Sequence, residues 1–198
     1  MFSIACWLRP EAHTDDALQT IARTAQSTNE VGWYLGYENR TGVATKAFRF
    51  ITFDGGGVVE DVDFIIENQI SSDGEWHHIC FTCDASTLRF YLDGTQADTV
   101  AVTASTDGNS SRSLLISDSI NEFEGYMADM RIYNDELTSG EIADIISGTN
   151  VAGNLQSHYM LNAADVLDYG ALANDGTNND TVHKPENVGD YSTDGPLD

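Results

Sequence analysis

Two runs decide the fold: Trp76-His77-His78-Ile79-Cys80-Phe81-Thr82-Cys83 and Leu88-Arg89-Phe90-Tyr91-Leu92. The polar patch Asp84-Ala85-Ser86-Thr87 separates them, and Asp93-Gly94 closes the second. Both runs are dense in aromatic and β-compatible residues. In the second, Leu88, Phe90 and Leu92 alternate with Arg89 and Tyr91, so one face is apolar and the other polar. The pattern predicts strand, tight connection, strand, turn. The Asp-Gly step suits the positive φ of a type I′ hairpin. This hairpin is expected to be the spine of a β-sandwich.

Working outward, Phe2, Ile4, Cys6 and Leu8 fall on one face of a strand that Pro10 ends, with Ala5 and Trp7 on the other. A chain that opens in mid-strand is unusual. Residues 11–20, with a His13-Thr14-Asp15-Asp16 patch, read most simply as a surface loop. Further strands are predicted over 20–24, 32–38, 46–53, 58–66, 99–103, 113–117 and 123–133. Gly-rich and Asn/Asp-rich turns such as Asp54-Gly55-Gly56-Gly57 separate them. About ten short strands at this spacing indicate an antiparallel sandwich or jelly roll. One helix is expected, where Thr138-Ser139-Gly140-Glu141 matches a capping box and Ile142, Ile145 and Ile146 form an apolar stripe. The domain is placed at 1–148. Residues 149–198 form an acidic tail with a strand at 155–161, and 132–198 hold twelve acids and one base, Lys184.

Length and charge bound the function. At 198 residues one all-β domain can bury a proper core without staples. Nine basic against 32 acidic residues give a net charge of −23. Nucleic acid and anionic membrane surfaces are therefore excluded as partners, because a polyanion would be repelled. Solvation in a salty medium is the simplest explanation of the acidity, and divalent-cation binding the second. Three cysteines, Cys6, Cys80 and Cys83, are too few and too odd for a disulfide framework. Cys80 and Cys83 lie three apart on a strand and point to opposite faces, so they read as buried thiols, not as a zinc pair with His77 and His78. No apolar run is long enough to span a membrane, and the N-terminus lacks the pattern of a signal peptide. An extracellular location would need another route.

The hairpin, with its Trp-His-His strand and Leu-Arg-Phe-Tyr-Leu-Asp-Gly, resembles the laminin-G-like, concanavalin A-like jelly-roll superfamily. Two stretches agree in order and spacing. Phe2 to Pro10 is similar to the family's early strand ending Trp-Val-Lys-Pro, and Phe123 to Asn134 to its closing strand, with the helical turn 137–146 following. The family's first strand and its Asp/Asn loop normally precede the early Trp strand. Here similar text, Leu155-Gln-Ser-His-Tyr-Met-Leu161 and Asp168-Tyr-Gly-Ala-Leu-Ala-Asn-Asp-Gly-Thr177, lies at the C-terminal end. Three readings follow: a circularly permuted domain, a domain cut from a tandem array, or a strand donated to a neighbouring subunit. The first closes an otherwise open sheet edge and is preferred.

The resemblance also implies candidate sites. Many superfamily members carry calcium, which takes several oxygen ligands. Asp129 occupies the acid position of the closing strand, although Ala128 replaces an acid commonly beside it. Asp168, Asn174 and Asp175 match the Asp/Asn loop. Sugar recognition in such folds needs aromatic platforms and polar side chains, and Tyr34, Arg49, Arg89 and Tyr91 are placed opposite the core face. Asp61 and Asp63 share a strand face, as the paired carboxylates of jelly-roll glucanases do. The next position on that face is Ile65, so the third acid is missing and no enzyme is expected. The reading is a non-catalytic carbohydrate- or surface-binding module, with structural calcium as its candidate cofactor. The wording is also similar to virion proteins of marine bacteriophages, which implies a virion or extracellular surface. Its partners would be a glycan or host-surface receptor, neighbouring virion proteins, or itself. The alternatives are a purely structural decoration protein and a glycoside hydrolase.

Overall fold

The computed structural model describes residues 1–11, 17–40, 45–66, 70, 74–84, 86–102, 113–117, 121–149, 151, 154–161, 169–170 and 175. The strands in chain order are β1 (Phe2–Pro10), β2 (Gln19–Arg23), β3 (Val31–Arg40), β4 (Thr45–Asp54), β5 (Val58–Ile65) and β6 (His77–Cys83). There follow β7 (Thr87–Leu92), β8 (Thr95–Ala101), β9 (Leu115–Ile116), β10 (Gly125–Tyr133), the helix α1 (Ser139–Ile146) and β11 (Leu155–Tyr159). They form two antiparallel sheets: six strands in the order β11-β10-β1-β6-β7-β8, and five in the order β5-β4-β3-β2-β9. The protein is an antiparallel β-sandwich of the jelly-roll type with one short helix.

The inner faces follow from the two-residue period. Ile4, Cys6 and Leu8 of β1, Ile79, Phe81 and Cys83 of β6, and Leu88, Phe90 and Leu92 of β7 meet Leu35, Tyr37, Phe48, Phe50, Val62 and Phe64 of the opposite sheet. Phe81 is the centre of this layer, with ring centroids 4.9 Å from Phe90, 5.4 Å from Phe64 and 5.9 Å from Phe50. Truncating a buried phenylalanine to alanine in such a layer costs roughly 3–5 kcal/mol. Cys80 and Cys83 point to opposite faces, as their spacing requires, and all three cysteines are buried thiols outside any disulfide.

Turn chemistry fixes the register of the spine. Asp84 Oδ1 accepts bonds from the Ser86 and Thr87 amides and closes the β6–β7 connection. At the other end Asp93 (φ 50) and Gly94 (φ 78) both adopt the left-handed conformation that a type I′ turn needs. That turn leads straight into β8, which begins at Thr95, not at the predicted 99. The polar composition of 95–99 hid this edge strand, whose side chains are mostly exposed.

Two C-terminal elements finish the six-stranded sheet. Thr138 caps α1 as expected, accepting from the Glu141 amide while the Glu141 carboxylate returns to the Thr138 amide at 2.7 Å. Ile142 and Ile145 bury themselves with Leu137 against Ala5, Cys80, Tyr91 and Tyr133, on the outer face of the sheet. β11 lies in its own chain's sheet, antiparallel to β10, with His158 opposite Arg131 and Tyr159 opposite Met130.

Candidate functional site

The outer face of the six-stranded sheet divides into a covered part, under α1, and an open end. At that end three strand lines bring three chemically distinct side chains into one row. Arg9, near the end of β1, pairs with Tyr126 of β10. Leu8 pairs with His77, so Trp76, the residue before β6, continues that line to the position beside Arg9. The Arg9 guanidinium stacks on the Tyr126 ring at 3.9 Å and lies 5.6 Å from the Trp76 ring centroid. All three are half-buried.

Local backbone contacts make the row rigid. Gly74 donates to the Pro10 carbonyl at 2.7 Å, which ties the turn before Trp76 to the end of β1. Gly125 faces Pro10, and a Cβ there would stand 2.4 Å from the Arg9 carbonyl oxygen, so only glycine allows β10 to approach so closely. Trp76 rests on Trp7 and Ala128, while Trp7 meets the buried His78 ring edge-on at 5.3 Å. Burial holds His78 neutral, with its pKa lowered to about 4 by desolvation, against opposing attraction from Asp129 and Asp93.

Further along this face lies a charged cluster. β10 bulges between the residues opposite Ala5 and Trp7, and Asp129 takes a left-handed φ of 52 at the bulge. Its carboxylate accepts from Arg131 Nε at 2.8 Å and Nη2 at 2.9 Å, and meets His158 Nε2 at 2.5 Å. Burial pushes this carboxyl up, but the bonds to His158 and Arg131 outweigh it and hold the group below the usual carboxylate value.

The residues put forward from the sequence do not form one site. Tyr34 and Arg49 lie on the outer face of the five-stranded sheet, while Arg89 and Tyr91 lie on the far side of the sandwich. Neither tyrosine is a surface platform. Tyr34 is 6 % exposed among Ala25, Phe53, Leu18 and Ile51, and its hydroxyl meets Thr20 Oγ1 at 2.8 Å. Tyr91 is 7 % exposed beneath α1. Strand parity places both on the second face but does not say what covers them. Arg49 grips Asp61 through Nε at 2.7 Å and Nη2 at 2.6 Å, and also pairs with Glu38 and Asp63. Arg89 bridges Asp84 at 2.9 Å and Glu136 at 2.5 Å. The Asp61/Asp63 carboxylates are thus neutralised by an arginine, which is not the arrangement of a nucleophile and a general acid.

Of the proposed calcium ligands, Asp168 and Asn174 lie outside the described residues, and Asp175 is exposed. Asp129 does not fit the ion. Both its oxygens are taken by the Arg131 guanidinium, and a dication beside that cation would be repelled. Among the described residues no group of three potential ligands converges on one point.

The model of the family described as the concanavalin A-like lectin/glucanases superfamily matches residues 1–143. The chain belongs to that superfamily. The match takes in the spine hairpin, the row Arg9–Trp76–Tyr126 and the start of α1. No curated protein sequence matches the chain. Among solved structures it is similar to a candidate carbohydrate binding protein from Bacteroides ovatus, with 16% identity, a TM-score of 0.63, and coverage of 89% of this chain and 51% of that one. It is also similar to domain 4 of an extracellular arabinanase from Geobacillus stearothermophilus, solved with arabinotriose (20% identity, TM-score 0.51, 73% of this chain and 65% of that one). A third is tailspike protein 2 of an Escherichia coli O157:H7 bacteriophage (12% identity, TM-score 0.58, 81% and 23%). At these identities the likeness is one of fold. This superfamily member spans about half the length of the Bacteroides protein.

The sequence reading missed Arg9, Trp76 and Tyr126 as a group. Each stood in a quoted motif, but only the register of β10, β1 and β6 makes them neighbours.

Proposed function

We propose that this protein is a non-catalytic binding module for surface carbohydrate, and that its contact site is the outer end of the six-stranded sheet. The observation that carries this is the row Trp76–Arg9–Tyr126. It presents two aromatic side chains and a donor-rich guanidinium, half-open to solvent, on a rigid sheet. Sugar sites combine such apolar surfaces with a few fixed polar groups. The pairing of Asp61 and Asp63 with Arg49 supports a role without hydrolysis. The carbohydrate-related descriptions of the Bacteroides and Geobacillus structures support the ligand class.

A structural role on a phage particle, with contacts only to neighbouring subunits, is the second reading, and the likeness to a phage tailspike favours it. A glycan array, run with and without a chelator, separates the two. The module reading expects binding that persists in chelator, because the row needs no metal, and that weakens roughly tenfold or more in Trp76→Ala. Silence under both conditions would leave the structural reading standing alone.

A further inference from the structure

We infer that the glycan recognised at this site carries an isolated carboxylate, as on a uronic or sialic acid, and that Arg9 is the residue that selects it. The inference rests on the binding-module reading and adds the ligand's chemistry. In a chain of net charge −23, cations have abundant partners. Arg49, Arg89 and Arg131 each hold at least one carboxylate. The Arg9 guanidinium is different: among the described residues it has ring contacts to Trp76 and Tyr126 and neither an ion pair nor a hydrogen bond.

The Arg9 guanidinium carbon sits over the Tyr126 ring at 3.9 Å, and the half-exposed side chain leaves N–H groups for a ligand. A planar fork held in advance loses little freedom on binding, and its geometry matches a carboxylate bidentately. Trp76 stands beside it to cover an adjoining sugar ring. Glu11 and Glu124 bound the row, joined through their backbones at 3.0 Å and both exposed. They and the overall charge repel a polyanion. One carboxylate touching Arg9 feels that cation first, because charges beyond about 8 Å are largely screened at physiological salt. The site therefore takes a sparsely charged acidic glycan and rejects polyuronates.

The test is calorimetric titration of the whole chain with trisaccharides capped by glucuronic acid or by sialic acid, each beside its methyl ester, and with a polygalacturonate. The expected result is that at least one acidic cap binds about tenfold to a hundredfold tighter than its ester. Arg9→Gln should erase that difference while Arg9→Lys keeps part of it. The two acidic arms tell which sugar carries the group. Circular dichroism establishes that the variants are folded. Equal binding of acid and ester, unchanged in Arg9→Gln, would overturn the inference and leave the module reading intact. Tighter binding of the polygalacturonate than of both caps would also overturn it. No binding of any sugar would overturn both.

Discussion

The environment of His78 gives the protein a pH response in solution. It is fully buried between β1 and β7, and among the described residues neither ring nitrogen has a hydrogen-bond partner. Unfolding returns the imidazole to water and to an ordinary value near 6.5, whereas in the native protein it titrates at about 4. Between those values the unfolded chain binds more protons, so stability must fall as the pH drops through that window. One pKa unit is worth about 1.4 kcal/mol, so the effect is on the order of 3 kcal/mol. Urea melts between pH 7 and 4.5 should show this loss, and His78→Phe should remove most of it. An unchanged slope in the variant would contradict the assignment.

At the scale of elements, the seam between β10 and β11 sits at the sheet edge, and its buried side-chain tie is a carboxylate. Asp129 links Arg131 on its own strand to His158 on β11, and Tyr169 lies against the His158 ring at 6.1 Å. Because Asp129 is held below the usual carboxylate value, its contribution is complete at neutral pH. It is lost as the pH falls below that of a free carboxylate and through the native one. Asp129→Ala leaves the Arg131 guanidinium largely buried without its partner and is expected to cost about 3 kcal/mol. Amide exchange would report this as faster exchange in β11 before the spine hairpin is affected. Uniform loss of protection would mean that the seam is not a local unit.

Much of this level was legible in the sequence. Alternation in 88–92, the Asp93-Gly94 turn and the Thr138–Glu141 box located β7, its hairpin and α1, because each is a local rule acting on adjacent residues. The edge strand β8 was half missed, since only Ala97 and Val100 reach the core from it and the polar residues between them leave no two-residue apolar alternation to read. The pairing of 155–159 depends on which edge is open, and that only the assembled sheet shows.

For the whole molecule, sequence parity sorted side chains into inner and outer faces correctly but could not say which outer positions stay open. Helix α1 covers Tyr91, and Leu18 and Phe53 cover Tyr34. The opening lies instead where β10, β1 and β6 end together, and ligand is expected to bind there. The chain has three tryptophans, Trp7, Trp33 and Trp76, and each gives one indole N–H resonance. Trp33 packs with Phe50 on the inner side of the five-stranded sheet, so it serves as an internal reference. Titrating labelled protein with the strongest array ligand while following these three signals is the most direct test. The Trp76 signal is expected to move in proportion to occupancy, with a smaller response from the underlying Trp7 and none from Trp33. A titration in which Trp33 moves and Trp76 stays fixed would place the ligand elsewhere and contradict that expectation.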